Sequence, residues 1–289
     1  MQLNVLRLFV AAAGLLPAVM ARQTYSYTSV DYPNAPSTSV SGINSKGDVV
    51  GFYEYIETKG STLDLGFVRG ANGTFKTFEV PGATETAAVG ISDSPAIVGY
   101  YTTQNSFTGF LYAGTNFRLY DPSGGPSSLT GISTNNLIVG FTATHSFEIK
   151  GPGQVESLPE LNGKVVSPLG INSSGTIVGS VAGLVEGVTE GFILDPSGTY
   201  QIIQYPESTL TSLSGINDAG VIVGSALGTN NISQGFVYSQ GQFTEISYPG
   251  STQTSALGIN NSGVVSGTYY GGTTFHGLIA TPVSPPSGR

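Results

Sequence analysis

Six residues at one recurring place of this sequence differ sharply in chemistry, three of them tyrosines. They are Tyr53, Tyr101, Thr142, Val181, Ala226 and Tyr269, each the second residue after a glycine that closes a repeated motif. A phenol is a hydrogen-bond donor at neutral pH, so three of them could hold a carbonyl oxygen while charge moves onto it. Val181 and Ala226 would leave room for an apolar body opposite. The preceding residues split the same way: Phe52, Tyr100, Phe141 and Thr268 against Ser180 and Ser225. Tyrosines at such places can equally well fill gaps between packed sheets, and the sequence leaves that alternative open. The expectation is a catalytic set of Tyr53, Tyr101 and Tyr269. Phe52, Tyr100, Phe141, Thr142, Val181, Ala226 and His276 would line the substrate.

Other reactive types are sparse. His145 and His276 each open a strand at the same repeat position, where capping or bonding to a neighbouring strand is the ordinary role. Two histidines in non-adjacent repeats make a poor metal site, and no acidic run has calcium-loop spacing. Ser39, Ser128, Ser167, Ser212 and Ser255, with Ala87 in the second repeat, recur just before a Gly-Ile pair but have no companion base. Glu54, Glu57, Glu79 and Asp121 are the candidates for a carboxylate pair. With no cysteine there is no thiolate and no disulfide framework. No metal and no cofactor are expected.

What positions these side chains is a motif present six times. It reads GINSKGDVVGFYE from Gly42, GISDSPAIVGYYT from Gly90, GISTNNLIVGFTA from Gly131, GINSSGTIVGSVA from Gly170, GINDAGVIVGSAL from Gly215 and GINNSGVVSGTYY from Gly258. Each is a strand ending in Gly-Ile, a polar turn and a β-branched strand, which is a hairpin signal. The starts differ by 48, 41, 39, 45 and 43 residues, a period that means a repeat architecture. A third strand with Gly-Phe or its variant follows, then a fourth that usually ends near proline, as in TFKTFEVPG and QFTEISYPG.

The sixth unit stops after its third strand. Thr24–Pro33, TYSYTSVDYP, aligns with Gln242–Pro249, QFTEISYP, so the missing fourth strand is at the start of the chain. An open stack would leave two bare edges, whereas a ring that borrows its last strand leaves none. The expected fold is therefore all-β, a six-bladed β-propeller with four strands per blade and a three-plus-one last blade. Its blades span 36–82, 84–124, 126–163, 164–207, 209–250, and 252–282 with 24–33.

Arg7, an apolar run from Leu8 to Met20 and Val19-Met20-Ala21 read as a secretory signal over 1–21. The folded body is then 22–284, with 285–289 as a flexible tail. The run is too short for a membrane anchor and is broken by Pro17. A net charge of −8 with no basic run excludes nucleic acid as a partner. Sequons at Asn72, Asn172, Asn231 and Asn260 suit a secreted route, although Asn172 and Asn260 fall in hairpin turns where asparagine has a structural use.

The pattern GIN-x-x-G-x-x-V-G, then H-x-F or G-F, then Y-P-G resembles the HAF family of extracellular repeats over nearly the whole mature chain. That resemblance implies a secreted propeller and no particular activity. In general character, a small secreted-type chain without a recognisable catalytic motif, the sequence also resembles the fungal hetero-Diels–Alderases of tropolone–sesquiterpenoid pathways. This implies union of a tropolone o-quinone methide with a humulene-type olefin, both apolar small molecules. Such a reaction needs positioning, worth about 7–11 kcal/mol, and a donor for the electron-poor carbonyl. The alternative is a non-catalytic secreted propeller that binds carbohydrate or a surface partner. A glycosidase or lyase would need paired carboxylates.

Overall fold

The polar turns of the repeated motif close in one way wherever the asparagine is present. Asn44, Asn172, Asn217 and Asn260 each accept, at Oδ1, the backbone N–H groups two and four residues on, at 2.9–3.2 Å. The glycine three residues after each asparagine has φ between 76° and 83°, a conformation that excludes most side chains. In the third repeat Asn136 takes that place, at φ 66°. Asparagine tolerates it and non-polar residues rarely do.

A computed structural model describes residues 23–283, apart from 58–59, 105–106, 115, 121–124, 184–185 and 229–230. The expected signal over 1–21 and the tail 285–289 lie outside the described residues. Every regular element among the described residues is a strand. After β1 (Thr24–Val30), the first repeat contributes β2 (Thr38–Ile43), β3 (Val49–Ile56), β4 (Thr62–Arg69) and β5 (Phe75–Phe78). The second has β6 (Glu85–Ile91), β7 (Ala96–Thr102), β8 (Phe107–Ala113) and β9 (Asn116–Tyr120). The third has β10 (Ser127–Ile132), β11 (Ile138–Thr142), β12 (Ser146–Gly151) and β13 (Gln154–Ser157). The fourth comprises β14 (Ser167–Ile171), β15 (Ile177–Ala182), β16 (Thr189–Leu194) and β17 (Tyr200–Ile203). The fifth is β18 (Ser208–Ile216), β19 (Ile222–Gly228), β20 (Ser233–Ser239) and β21 (Gln242–Ile246). The last holds β22 (Gln253–Ile259), β23 (Val265–Tyr270) and β24 (Phe275–Val283).

Within each repeat consecutive strands pair antiparallel. The outer edge of β24 pairs with β1, from Thr24 opposite Val283 to Val30 opposite Gly277. Two short parallel bridges, Asp64 with Glu85 and Thr189 with Leu210, join neighbouring repeats. Every innermost strand carries a bulge just before the glycine of Gly-Ile. The bulged residues are Ser41, Val89, Thr130, Leu169, Ser214 and Leu257, and all six line one central cavity of about 340 Å3. An extra residue in one strand re-aims its side chain, which is how the sheets present these six residues to one cavity.

The glycines beside that cavity are set by contact. A Cβ on Gly131, Gly170, Gly215 or Gly258 would lie 3.0–3.2 Å from the Cα of the next repeat's glycine, and for Gly258 the next is Gly42. A Cβ on Gly42 would meet Gly90 at 3.1 Å. The hairpin asparagines follow the same order: Nδ2 of Asn172 donates to Asn217 O, Asn217 to Asn260 O, and Asn260 to Asn44 O, at 3.0–3.2 Å. Further out, Phe67, Phe110, Phe147, Phe192 and Phe236 are fully buried, one per repeat, with Leu278 in the sixth. Truncating one such ring to alanine costs about 3–5 kcal/mol.

Candidate functional site

Tyr53, Tyr101 and Tyr269 come late in the second strand of their repeats, as expected, but they do not converge. Each turns toward the preceding sheet and joins a different packing cluster. Tyr53 stacks on Tyr32 at 3.6 Å between centroids, and Tyr269 stacks on Tyr248 at 3.7 Å. Tyr101 packs beside Val80. Tyr32, Tyr248 and Val80 hold the same place, immediately before proline, so the second-strand residue fills the gap that this place leaves. Burial pushes Tyr53 up to about 12, with Thr77 lying 3.3 Å from its oxygen. Tyr269 is also raised by burial, and its hydroxyl donates to Ser29 Oγ at 3.0 Å. None of the three lines the central cavity.

The opposite, roomy side is corrected as well. Val181 is 4% exposed and Ala226 2%, both sealed in inter-sheet cores. Val181 borders only a small cavity of about 220 Å3 with Lys164 and Glu190. Thr142 is buried, and its hydroxyl bonds His145 O and accepts from the His145 N–H, so it closes its own turn. Phe52, Tyr100 and Phe141 are half-buried on the other face of their strands. A period of two sends neighbouring residues to different sheets, which divides these from the tyrosine set.

His276 meets a partner from the far end of the sequence. Its Nδ1 lies 2.7 Å from Asp31 Oδ1, and its ring stacks on Tyr269 at 5.0 Å. Ser29 donates to the other oxygen of Asp31 at 2.7 Å. The serine therefore bonds the carboxylate and not the imidazole, so this is no nucleophile–base pair. It ties β1 to β24 at the level of the loops that follow the second strands. Sequence reasoning missed Ser29 and Asp31, although their i, i+2 spacing on a strand already puts them on one face.

A second polar group lies between the first two repeats. Glu54 is opposite Asp64 in the ladder, and Asp64 is bridged to Glu85. Tyr100 donates to Glu85 Oε1 at 3.1 Å, and Thr102 donates to Oε2 at 2.9 Å. Burial, then Glu85 and Glu54, raise the Asp64 carboxyl above its ordinary range, so it keeps its proton further toward neutrality. Tyr100 is raised by burial and by Glu85, and it stays a neutral donor. Its ring packs on Phe107 at 4.8 Å, and the side chains of Tyr55 and Ile56 project into solvent from the end of β3. Of the four carboxylates weighed from sequence, Glu54 belongs to this group, while Asp121 lies outside the described residues. Asp64 and Glu85 went unseen. Their signal was a charge where the other repeats carry Phe107, Thr189 or Phe275, and Ser37, Leu210 or Gln253, respectively.

Among the described residues no group of three or more His, Asp or Glu could hold a metal ion. The sequons divide. Asn172 and Asn260 are 4% and 6% exposed, and their Nδ2 atoms are spent on Asn217 O and Asn44 O, so a glycan there would break those bonds. Asn72 and Asn231 are exposed.

No protein-family model and no curated protein matches the chain by sequence. Solved structures do resemble it. The β-propeller domain of the Trilobed protease from Pyrococcus furiosus, described as having an open velcro topology, superposes with a TM-score of 0.51 at 13% identity. That match covers 87% of this chain and 84% of the other. A mutant of AofleA from Arthrobotrys oligospora gives a TM-score of 0.54 at 15% identity, covering 91% of both chains. At such identities the likeness establishes an all-β, propeller-type fold and nothing about activity.

Proposed function

We propose that the protein is a six-bladed β-propeller completed by its own N-terminal strand, and that it works as a cofactor-free pericyclase. The ring reading is supported by the glycine contacts that return from Gly258 to Gly42 and by the asparagine bond from Asn260 to Asn44. Pairing of β1 with β24 adds a third tie between the chain's two ends. The signal segment would send the protein along the secretory route.

The reaction joins a tropolone o-quinone methide to a humulene-type sesquiterpene by a hetero-Diels–Alder addition. One C–C and one C–O bond form and no group leaves, so neither a nucleophile nor an acid–base pair is required. A donor aimed at the methide oxygen helps, because that oxygen gains charge as the ring closes. The observation that carries the reading is the Asp64 carboxyl, whose hold on its proton is raised by burial and by Glu85, beside the Tyr100 hydroxyl. In its protonated form such a carboxylic acid is a strong hydrogen-bond donor. Phe52, Ile56 and Phe107 give the aromatic and apolar surface on which the terpene would lie.

The test is coupling of a quinone-methide precursor with a humulene-type alcohol, scored for rate and product stereochemistry with and without protein. Wild-type acceleration should fall as pH rises through the raised pKa of Asp64. Asp64→Asn keeps a neutral donor and should flatten that pH profile, and Asp64→Leu should remove most of the acceleration. Unchanged rate and stereochemistry with wild-type protein would end the pericyclase reading in favour of a non-catalytic binding propeller. Acceleration that Asp64→Leu leaves intact would move the site elsewhere.

A further inference from the structure

One aromatic position is broken once in the repeat, and the break leaves a cleft. On the outer strand, opposite the residue two after the buried phenylalanine or Leu278, stand Tyr27, Phe75, Phe117, Tyr200 and Phe243, but the third repeat has Val155. Four of those rings meet the buried phenylalanine of their own sheet edge to face: Phe75 on Phe67, Phe117 on Phe110, Tyr200 on Phe192 and Phe243 on Phe236, at 5.1–5.4 Å. Edge-to-face contact at that distance is the favoured aromatic geometry. In the third repeat Phe147 has no such partner on its own outer strand, and Val155 is 45% exposed.

Between the second and third sheets lies a cleft of about 540 Å3, with an apolar wall of Leu111, Leu129, Ile138, Ile149 and Val155. This is the size of a small-molecule site. Its polar side lies on β9. Tyr120 lines it by its ring, the hydroxyl being buried without a hydrogen-bond partner. Two residues earlier on the same strand, Arg118 also lines the cleft and makes no ion pair among the described residues. The other cation, Lys150, is already held by Glu156 at 2.6 Å and Glu148 at 3.8 Å.

We propose that this cleft binds a flat aromatic carboxylic acid whose ring takes the place of the missing aromatic at Val155, with its carboxylate on Arg118. The cleft is bordered by Ser94, Asn135 and Gly153, turn residues at the opposite end of the strands from Asp64 and Tyr100. The assignment is thus independent of the coupling reaction.

The probe is naphthalene-2-carboxylate, titrated calorimetrically into the full chain, with the neutral carboxamide as control. Saturable one-to-one binding is expected, weakened about tenfold by Arg118→Gln, the worth of one charge-assisted hydrogen bond. The carboxamide should bind more weakly and be indifferent to Arg118→Gln. Val155→Phe and Ile149→Tyr each import the second repeat's residue, Phe117 or Tyr112, and should fill the cleft and abolish binding without lowering the melting temperature. The second variant keeps the test alive should the first fold poorly. Absence of saturable heat up to the probe's solubility, binding retained in both filled variants, or equal affinity for acid and amide would overturn the proposal.

Discussion

Replacing Asn260 by serine tests whether the last repeat is bonded to the first as firmly as interior repeats are to each other. Asn260 is 6% exposed and makes three bonds: Nδ2 to Asn44 O at 3.0 Å, and Oδ1 from the N–H groups of Ser262 and Val264, both at 3.0 Å. Serine occurs at the same place in the second and third repeats. There Ser92 and Ser133 still accept the N–H four residues on, from Ala96 and Leu137. Asn260→Ser should therefore keep one turn bond and lose the other together with the inter-repeat bond. The abandoned carbonyl of Asn44 retains the Gly47 N–H at 3.1 Å, so no acceptor is left bare. Each lost bond is worth about 1 kcal/mol net. For a body of this size each kcal/mol lowers the melting temperature by roughly 2–4 °C.

Asn217→Ser is the internal standard. Asn217 makes the same three bonds, to Asn260 O at 3.1 Å and from Ala219 and Val221, at similar burial. The turn losses cancel between the two variants, and what remains is the bond across the chain's ends against a bond inside the chain. Thermal unfolding followed by far-UV dichroism should give equal shifts. A clearly smaller shift for Asn260→Ser than for Asn217→Ser would mean that the ends meet without mutual stabilisation, and the ring would have to be abandoned.

Deleting residues 24–33 removes the strand paired with β24 and the Asp31 partner of His276, and exposes a seven-residue edge; light scattering should show association, and cooperative melting at the wild-type temperature would contradict the pairing. The pH dependence of stability has a definite sign at Asp64. Its folded pKa is raised, so the folded state holds the proton more tightly, and stability is lost as pH climbs from about 4 through the raised value. Asp64→Asn should melt higher than wild type at pH 7 and equal it near pH 4. A variant that melts lower than wild type by the same amount at both would show that the carboxyl is held by bonds and not strained by its neighbours.

The repeat, its hairpins and its strand order were legible because they depend on short-range chemistry. Gly42-Ile-Asn and its five relatives announce a turn, the valines and isoleucines that follow announce a strand, and Thr24–Pro33 announces itself as an outer strand by likeness to Gln242–Pro249. The absence of aromatic bulk at Val155 was equally readable from the alignment of repeats. So was the tyrosine asymmetry at positions 53, 101 and 269, but its meaning was not.

That meaning depends on which neighbouring sheet a strand face meets, and only the assembled body decides it. Tyr53 and Phe52 are one bond apart in sequence, yet one packs on Tyr32 of the preceding sheet while the other turns away from it. Asp31 and His276 are separated by 245 residues and meet because β1 lies on β24. Asp64 holds its proton more tightly because it is buried and because a parallel bridge between repeats brings Glu85 beside it. Local propensity, turn geometry and period are properties of a few consecutive residues and survive in one dimension. Burial, partner and proton affinity arise where distant segments meet, and they belong to the tertiary structure alone.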